Sequence, residues 1–447
     1  MKYLKFSFFV CLFITSLISA QTKEITLEDI WKNGTFNLEL IEALHSMSNG
    51  EQYSILNFDN DTRSTSVDLY DYKTREKVNT IVSSNDLDGI PYFINYSFSQ
   101  DEKKLILTVY EEAIYRNSSQ GYYFVYNLGD GGLSLISEDK IQEPTFSPDG
   151  SKIAFAKANN LFVKDLNSEE VTQITFDGEK NKIINGIADW VYEEEFKIVR
   201  TFVWNADGTK LAFIRFDETL VPEFSMDIYG TELYQKQQVF KYPKAGEANS
   251  LVSLHVYDLE TNQIQEIKTT KTYQDFYIPR IEWTNNSNVF SAQFLNRNQN
   301  ELDLWMFDVE SNTSNLILEE KDKAYVEVTD NLTFLDDHSF IWTSEKDGFN
   351  HIYHYDKEGR LINQVTKGLW EVTDYYGFDE KNNKIFYQSV ENGTINRDVY
   401  AIKLNGRNKT RLTKQDGTNE SAFIANFSLY INTFYSATVT TQYSLHN

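Results

Sequence analysis

The 447 residues include 31 Phe, 28 Tyr and 7 Trp, with one Cys and six Pro, a composition typical of β-rich domains and unlike collagens or disulfide scaffolds. A hydrophobic content of 41% can offset chain entropy, which excludes disorder. The balance of 66 acids against 42 Lys and Arg, net −24, disfavours nucleic acid or an anionic membrane as partner.

In chain order, residues 1–20 read as a secretory leader. Lys2 and Lys5 precede an apolar run from Phe6 to Ile18, and the small Ala20 marks cleavage before Gln21. The run is short for a membrane span, so an uncleaved anchor is the lesser reading. The expected location is exported, periplasmic or secreted, and without the leader no cysteine remains.

A repeat follows: an aromatic or apolar anchor, a short polar turn often containing Asp-Gly, then an alternating strand. Phe146-Ser-Pro-Asp-Gly-Ser-Lys-Ile-Ala-Phe and Trp204-Asn-Ala-Asp-Gly-Thr-Lys-Leu-Ala-Phe are its clearest copies. Looser copies begin at Met47, Phe98, Trp283, Phe334, Phe378 and Phe427. Most are followed by a second strand such as Leu161-Phe-Val-Lys-Asp-Leu or His351-Ile-Tyr-His-Tyr-Asp. Four short antiparallel strands per roughly 40–50 residues make a propeller blade, and Gly accepts the positive φ of the tight turn. Eight anchors predict an all-β, eight-bladed β-propeller over 37–447. A large sandwich or two β-domains would not predict such regular anchors. From Phe427 the remaining twenty residues reach only a third strand, Gln442-Tyr-Ser-Leu-His, so the sequence is expected to stop inside blade 8.

Two excursions break the rhythm: a segment at 187–196, and an arm at 222–249 rich in Tyr, Phe and Gln. The first contains Asp189-Trp-Val-Tyr-Glu-Glu-Glu-Phe196, three adjacent carboxylates in an aromatic frame. Like charges so close cost energy unless something cationic answers them, and a compact ammonium fits; a solvated acidic face is the plainer reading. Arg116 follows a strand and could fix a carbonyl or carboxylate with its planar fork. His351 and His354 fall on opposite sides of a strand, and neither metal nor cofactor is expected. There is no Gly-x-Ser-x-Gly elbow, no His-Glu-x-x-His and no phosphate loop.

Ile187-Ala-Asp-Trp-Val-Tyr-Glu-Glu-Glu-Phe196 resembles the signature of the dipeptidyl peptidase IV family of prolyl-oligopeptidase-type serine peptidases. Tyr115-Arg-Asn-Ser118, Tyr242-Pro-Lys-Ala-Gly246 with Asn249, and Gly368-Leu-Trp-Glu-Val372 are similar to further family segments, in the same order. Thr26-Leu-Glu-Asp-Ile-Trp-Lys-Asn33, within 21–36, resembles the short helix before the first blade.

The resemblance implies that Glu194 and Glu195 bind a substrate α-ammonium, that Glu193 is structural, and that Arg116 assists at the second residue's carbonyl. It implies a ruler: anchoring the amino terminus sets a bond two residues away at a catalytic serine, so dipeptides leave, with Pro or Ala second. The family's α/β-hydrolase domain, bearing Ser, Asp and His, has no counterpart here, so the chain is expected to be inactive alone and to be a fragment. A prolyl tripeptidyl aminopeptidase and a non-catalytic exported peptide-binding propeller are the competing expectations. Expected partners are peptide N-termini, the absent catalytic domain and, through the arm, a second copy of the chain.

Overall fold

The computed structural model describes residues 24–36 and 43–447, so the leader read at 1–20 and the boundaries drawn near residues 21 and 37 lie outside the described residues. The described chain divides into two units, 24–36 and 43–447. The first holds one helix, α1 (Leu27–Trp31). Thr26 Oγ1 accepts the Asp29 amide at 3.1 Å while Asp29 Oδ2 accepts the Thr26 amide at 3.2 Å, a reciprocal cap that satisfies donors at the helix start.

The second unit is an eight-bladed propeller of antiparallel sheets. Blade 1 is built from His45–Ser46, Gln52–Asp59, Ser64–Asp71 and Lys77–Ser83. Blade 2 spans Asn95–Phe98 to Leu133–Leu135 and blade 3 Gln142–Phe146 to Val171–Gln173. Blade 4 has five strands, its inner strand being split into Ile183–Asn185 and Phe202–Trp204. Blades 5, 6 and 7 begin at Phe276–Trp283, Thr333–Phe334 and Val372–Asp379. Blade 8 pairs Thr418–Phe423, Tyr430–Tyr435 and Gln442–His446 in that order. The strand foreseen at Gln442–His446 is therefore present.

Most anchors end the innermost strands, where their rings lie half-buried against the cores. Trp204 Nε1 donates to Thr145 O of blade 3 at 3.3 Å, and Trp283 Nε1 to Val203 O of blade 4 at 3.1 Å. In six blades the expected anchor is the last inner-strand residue or the one before it, as in Phe146↔Ile153 and Trp204↔Leu211. Two anchors shift. Pairing of Ser46 with Tyr53 puts the blade 1 anchor one residue before Met47, and pairing of Phe423 with Tyr430 puts the blade 8 anchor four before Phe427. Phe427 instead lies in the turn at φ 56°, its ring stacked on Phe386 at 5.2 Å. An aromatic residue inside a polar turn mimics the anchor pattern.

The turns after the anchors form a ring. Ser48 donates to Glu102 from its amide (2.6 Å) and hydroxyl (2.9 Å), and Lys104 Nζ to Gly150 O at 2.9 Å. Asn205 Nδ2 reaches Ser287 O at 3.0 Å, and the Asp336 amide reaches Glu380 Oε1 at 3.3 Å. At the other end of each sheet emerge the loops joining second to third strands and those crossing to the next blade.

Candidate functional site: the rim of blades 2 and 4

Between the two halves of the blade 4 inner strand lies α2 (Trp190–Phe196). Seven residues are too few to be helical by propensity, so packing must hold them. Tyr192 and Phe196, four apart, face inward together. The Tyr192 ring meets Phe216 at 4.8 Å and Phe196 at 5.1 Å, Phe196 meets Tyr277 at 5.1 Å, and the Tyr192 hydroxyl accepts the Ile278 amide at 2.7 Å. Asp189 caps the start: Oδ1 accepts the Tyr192 amide at 2.9 Å and Oδ2 the Ser250 hydroxyl at 2.6 Å. Burial pushes the Asp189 carboxyl up, against the pull of these bonds. Lys197 closes the helix in the left-handed region, φ 55° and ψ 37°.

With Tyr192 and Phe196 inward, the three glutamates diverge. Glu193 is buried, and its Oε1 accepts the backbone amides of Asn117 at 2.6 Å and Ser118 at 3.0 Å. Glu194 is partly exposed and its Oε1 lies 3.3 Å from Arg116 Nε; Glu195 is exposed. The structure thus brings Arg116 and Glu194, 78 positions apart, into one ion pair at the loop end of the propeller, with Glu195 alongside on α2. The Arg116 side chain stays 76% exposed.

The arm at 222–249 is a hairpin of Glu223–Ile228 and Lys236–Lys241. Its root braces both parts of the site. Tyr242 packs on Trp190 of α2 with ring centres 4.3 Å apart, and Phe240 on Tyr115, beside Arg116, at 5.7 Å.

A cavity of about 900 Å³ opens among the loops of blades 5 to 8, with Tyr325, Glu327, Glu345, Glu371, Asp374 and Glu420 on its wall. Burial raises the Glu345 carboxyl, reinforced by the charges of Glu327, Glu371 and Asp322; burial and then Glu420 raise Asp374. Burial raises the Tyr325 phenol, with the charges of Glu327 and Glu195 adding to it. His351 and His354 are buried structural residues: His351 Nδ1 lies 3.1 Å from Thr366 Oγ1 and Nε2 3.2 Å from Gly368 O, while His354 Nε2 meets Ser339 Oγ at 2.9 Å.

Sequence reasoning missed the Asn117 and Ser118 amides, Ser250, and Tyr325. Backbone donors leave no sequence signature, and Ser250 lies 61 positions from Asp189. For Tyr325 the available signal was an aromatic residue flanked by Asp322 and Glu327 in a crossing loop.

Residues 99–441 match the family described as the dipeptidyl peptidase IV N-terminal region. A probable dipeptidyl-aminopeptidase B of Phaeosphaeria nodorum is 31% identical over 353 residues, covering 71% of this chain and 38% of the relative. One from Pyrenophora teres is 30% identical, covering 79% and 43%. The crystal structure of Porphyromonas gingivalis dipeptidyl peptidase 4 superposes with a TM-score of 0.87 at 37% identity, covering 95% of this chain and 60% of that one. A putative dipeptidyl aminopeptidase IV from Bacteroides ovatus, 20% identical with a TM-score of 0.72, shares the fold, covering 95% and 61%. The chain therefore spans about two fifths of these curated relatives and three fifths of these solved chains.

Proposed function

Because this chain belongs to the family of dipeptidyl peptidase IV N-terminal regions, we propose that it is the substrate-recognition propeller of a serine exopeptidase that removes N-terminal dipeptides, with Pro or Ala second. Glu194 and Glu195 receive the peptide α-ammonium, and Arg116 holds the carbonyl of the second residue. The observation that carries this reading is the meeting of Arg116 with Glu194, Nε to Oε1 3.3 Å, with Glu195 exposed beside them. Two carboxylates next to a planar cationic fork complement the charge order of a peptide amino terminus, ammonium first and carbonyl second. The acidic cavity adds a negative potential that draws cationic termini to this rim.

The reading extends to the whole protein: an exported enzyme in which a serine on an α/β-hydrolase domain cleaves the bond that the anchored terminus presents. Its arm, with Tyr229, Leu233 and Tyr234 exposed, meets a second copy.

Calorimetric titration of the chain with a Xaa-Pro peptide tests the recognition step. A free amino terminus should bind at least about tenfold more tightly than its acetylated counterpart, from the loss of one charge-assisted contact. Glu194→Ala with Glu195→Ala should abolish that difference. Affinity should also fall above about pH 8, where the α-amine loses its proton. Equal binding of free and acetylated peptides would sink the assignment.

A further inference from the structure

We infer that Glu193 is a positioning residue that fixes Arg116 against the ammonium-binding face of α2. The inference rests on the peptide-recognition reading above and deepens it.

Arg116 lies in the loop between Lys104–Ala113 and Ser119–Asn127 of blade 2, whereas Glu194 and Glu195 ride on α2 of blade 4. A site made from two separately anchored elements works only if their spacing is held, because a shift of about 1 Å can cost two orders of magnitude in a positioned reaction. The loop itself is tight: the Ile114 amide donates to Ser118 O at 2.8 Å, and the Tyr115 amide to Ser118 Oγ at 3.2 Å. Arg116 lies inside this turn, so fixing Ser118 fixes the base from which its side chain departs.

Glu193 does the fixing. One carboxyl oxygen receives two successive amides of the loop, Asn117 at 2.6 Å and Ser118 at 3.0 Å, from a side chain 1% exposed. Glu194, the next residue, contacts the Arg116 side chain. Neighbouring residues of one helix turn thus hold the backbone and the side chain of the same loop. A buried acceptor with two amide donors is costly to remove, since both N–H groups would be left unpaired.

The geometry also separates the substitutions. Glu193→Gln keeps a carbonyl oxygen at the same reach and can accept both amides. Glu193→Asp is one methylene too short, and Glu193→Ala offers no acceptor.

Titration with free and acetylated Xaa-Pro peptides is combined with amide hydrogen exchange at Asn117 and Ser118. Glu193→Ala and Glu193→Asp should weaken free-terminus binding about tenfold and speed exchange at both amides by at least as much, while Glu193→Gln stays within about twofold of wild type. Glu193→Ala with Arg116→Ala should bind no more weakly than either alone, because both remove the same contact. The inference is overturned if folded Glu193→Ala keeps wild-type discrimination and slow exchange, or if the two losses multiply. A wild-type chain that fails to discriminate the peptides instead overturns the recognition reading, and exchange then still decides whether Glu193 holds the loop.

Discussion

Glu218 follows the second strand of blade 4 and is 5% exposed, where burial, with the Asp189 and Asp217 charges opposing Lys241, pushes its carboxyl up to about 7. The folded state therefore holds a proton that an unfolded chain releases near pH 4.5. Between roughly pH 4.5 and 7 the native state binds more protons, so stability falls as pH rises, by an amount on the order of 1–3 kcal/mol from this group. Below that window the opposite set dominates: Asp149, held down to about 2 by the Ser147 and Ser151 bonds against its burial, loses its contribution as pH falls toward 2. Glu218→Gln should flatten the urea midpoint between pH 5 and 8 and raise it at pH 8; a wild-type slope retained in that variant would assign the effect elsewhere. At this scale the sequence was only partly legible. Glu194, Glu195 and Arg116 stood out by residue type and resemblance, and the structure brings Arg116 to Glu194. The elevated Glu218 carboxyl and the Glu193 amide pair depend on what folds over them, which no local pattern encodes.

The element that matters most, α2, departs from the β pattern around it and has little helical drive of its own. Its inward pair Tyr192 and Phe196 and its Asp189 cap stand in for propensity. The sequence marked 187–196 as an excursion through its acids and aromatics, yet one inward pair is too short a period to separate helix from loop. Lys197 bears the strain of the helix end at φ 55°, a conformation that costs a side-chain-bearing residue roughly 1 kcal/mol. Lys197→Gly should therefore raise stability by about 0.5–1 kcal/mol in urea unfolding, and Lys197→Val should lower it by more, because a β-branched side chain fits this region poorly. If Gly were destabilising and Val neutral, the left-handed end of α2 would be wrong. The arm was legible as an insertion but its work at the root was not, since Trp190–Tyr242 and Tyr115–Phe240 are contacts between distant parts of the chain.

At the scale of the molecule, eight anchors implied eight blades because each blade must bury one inner face against the next, and that demand repeats in the sequence whatever the loops do. The seam between first and last blades has no such repeat and was not legible. Among the described residues, blade 1 is built wholly from 45–83 and blade 8 from 418–446, so no strand is exchanged across the seam. What meets there is the two turns. Gly50, at φ 65°, presents its bare Cα to the Asn426 side-chain amide, and a Cβ at that position would run into it. Gly50 thus serves the turn conformation and the close approach together. Gly50→Ala should cost about 1–3 kcal/mol, part from the backbone and part from the displaced amide. Asn426→Gly removes only the second part, so in its background Gly50→Ala should cost less, by at least about 0.5 kcal/mol in a double-mutant cycle of urea midpoints. Additive losses would mean that the two turns do not touch in solution, and that the ring is held at this seam by the blade faces alone.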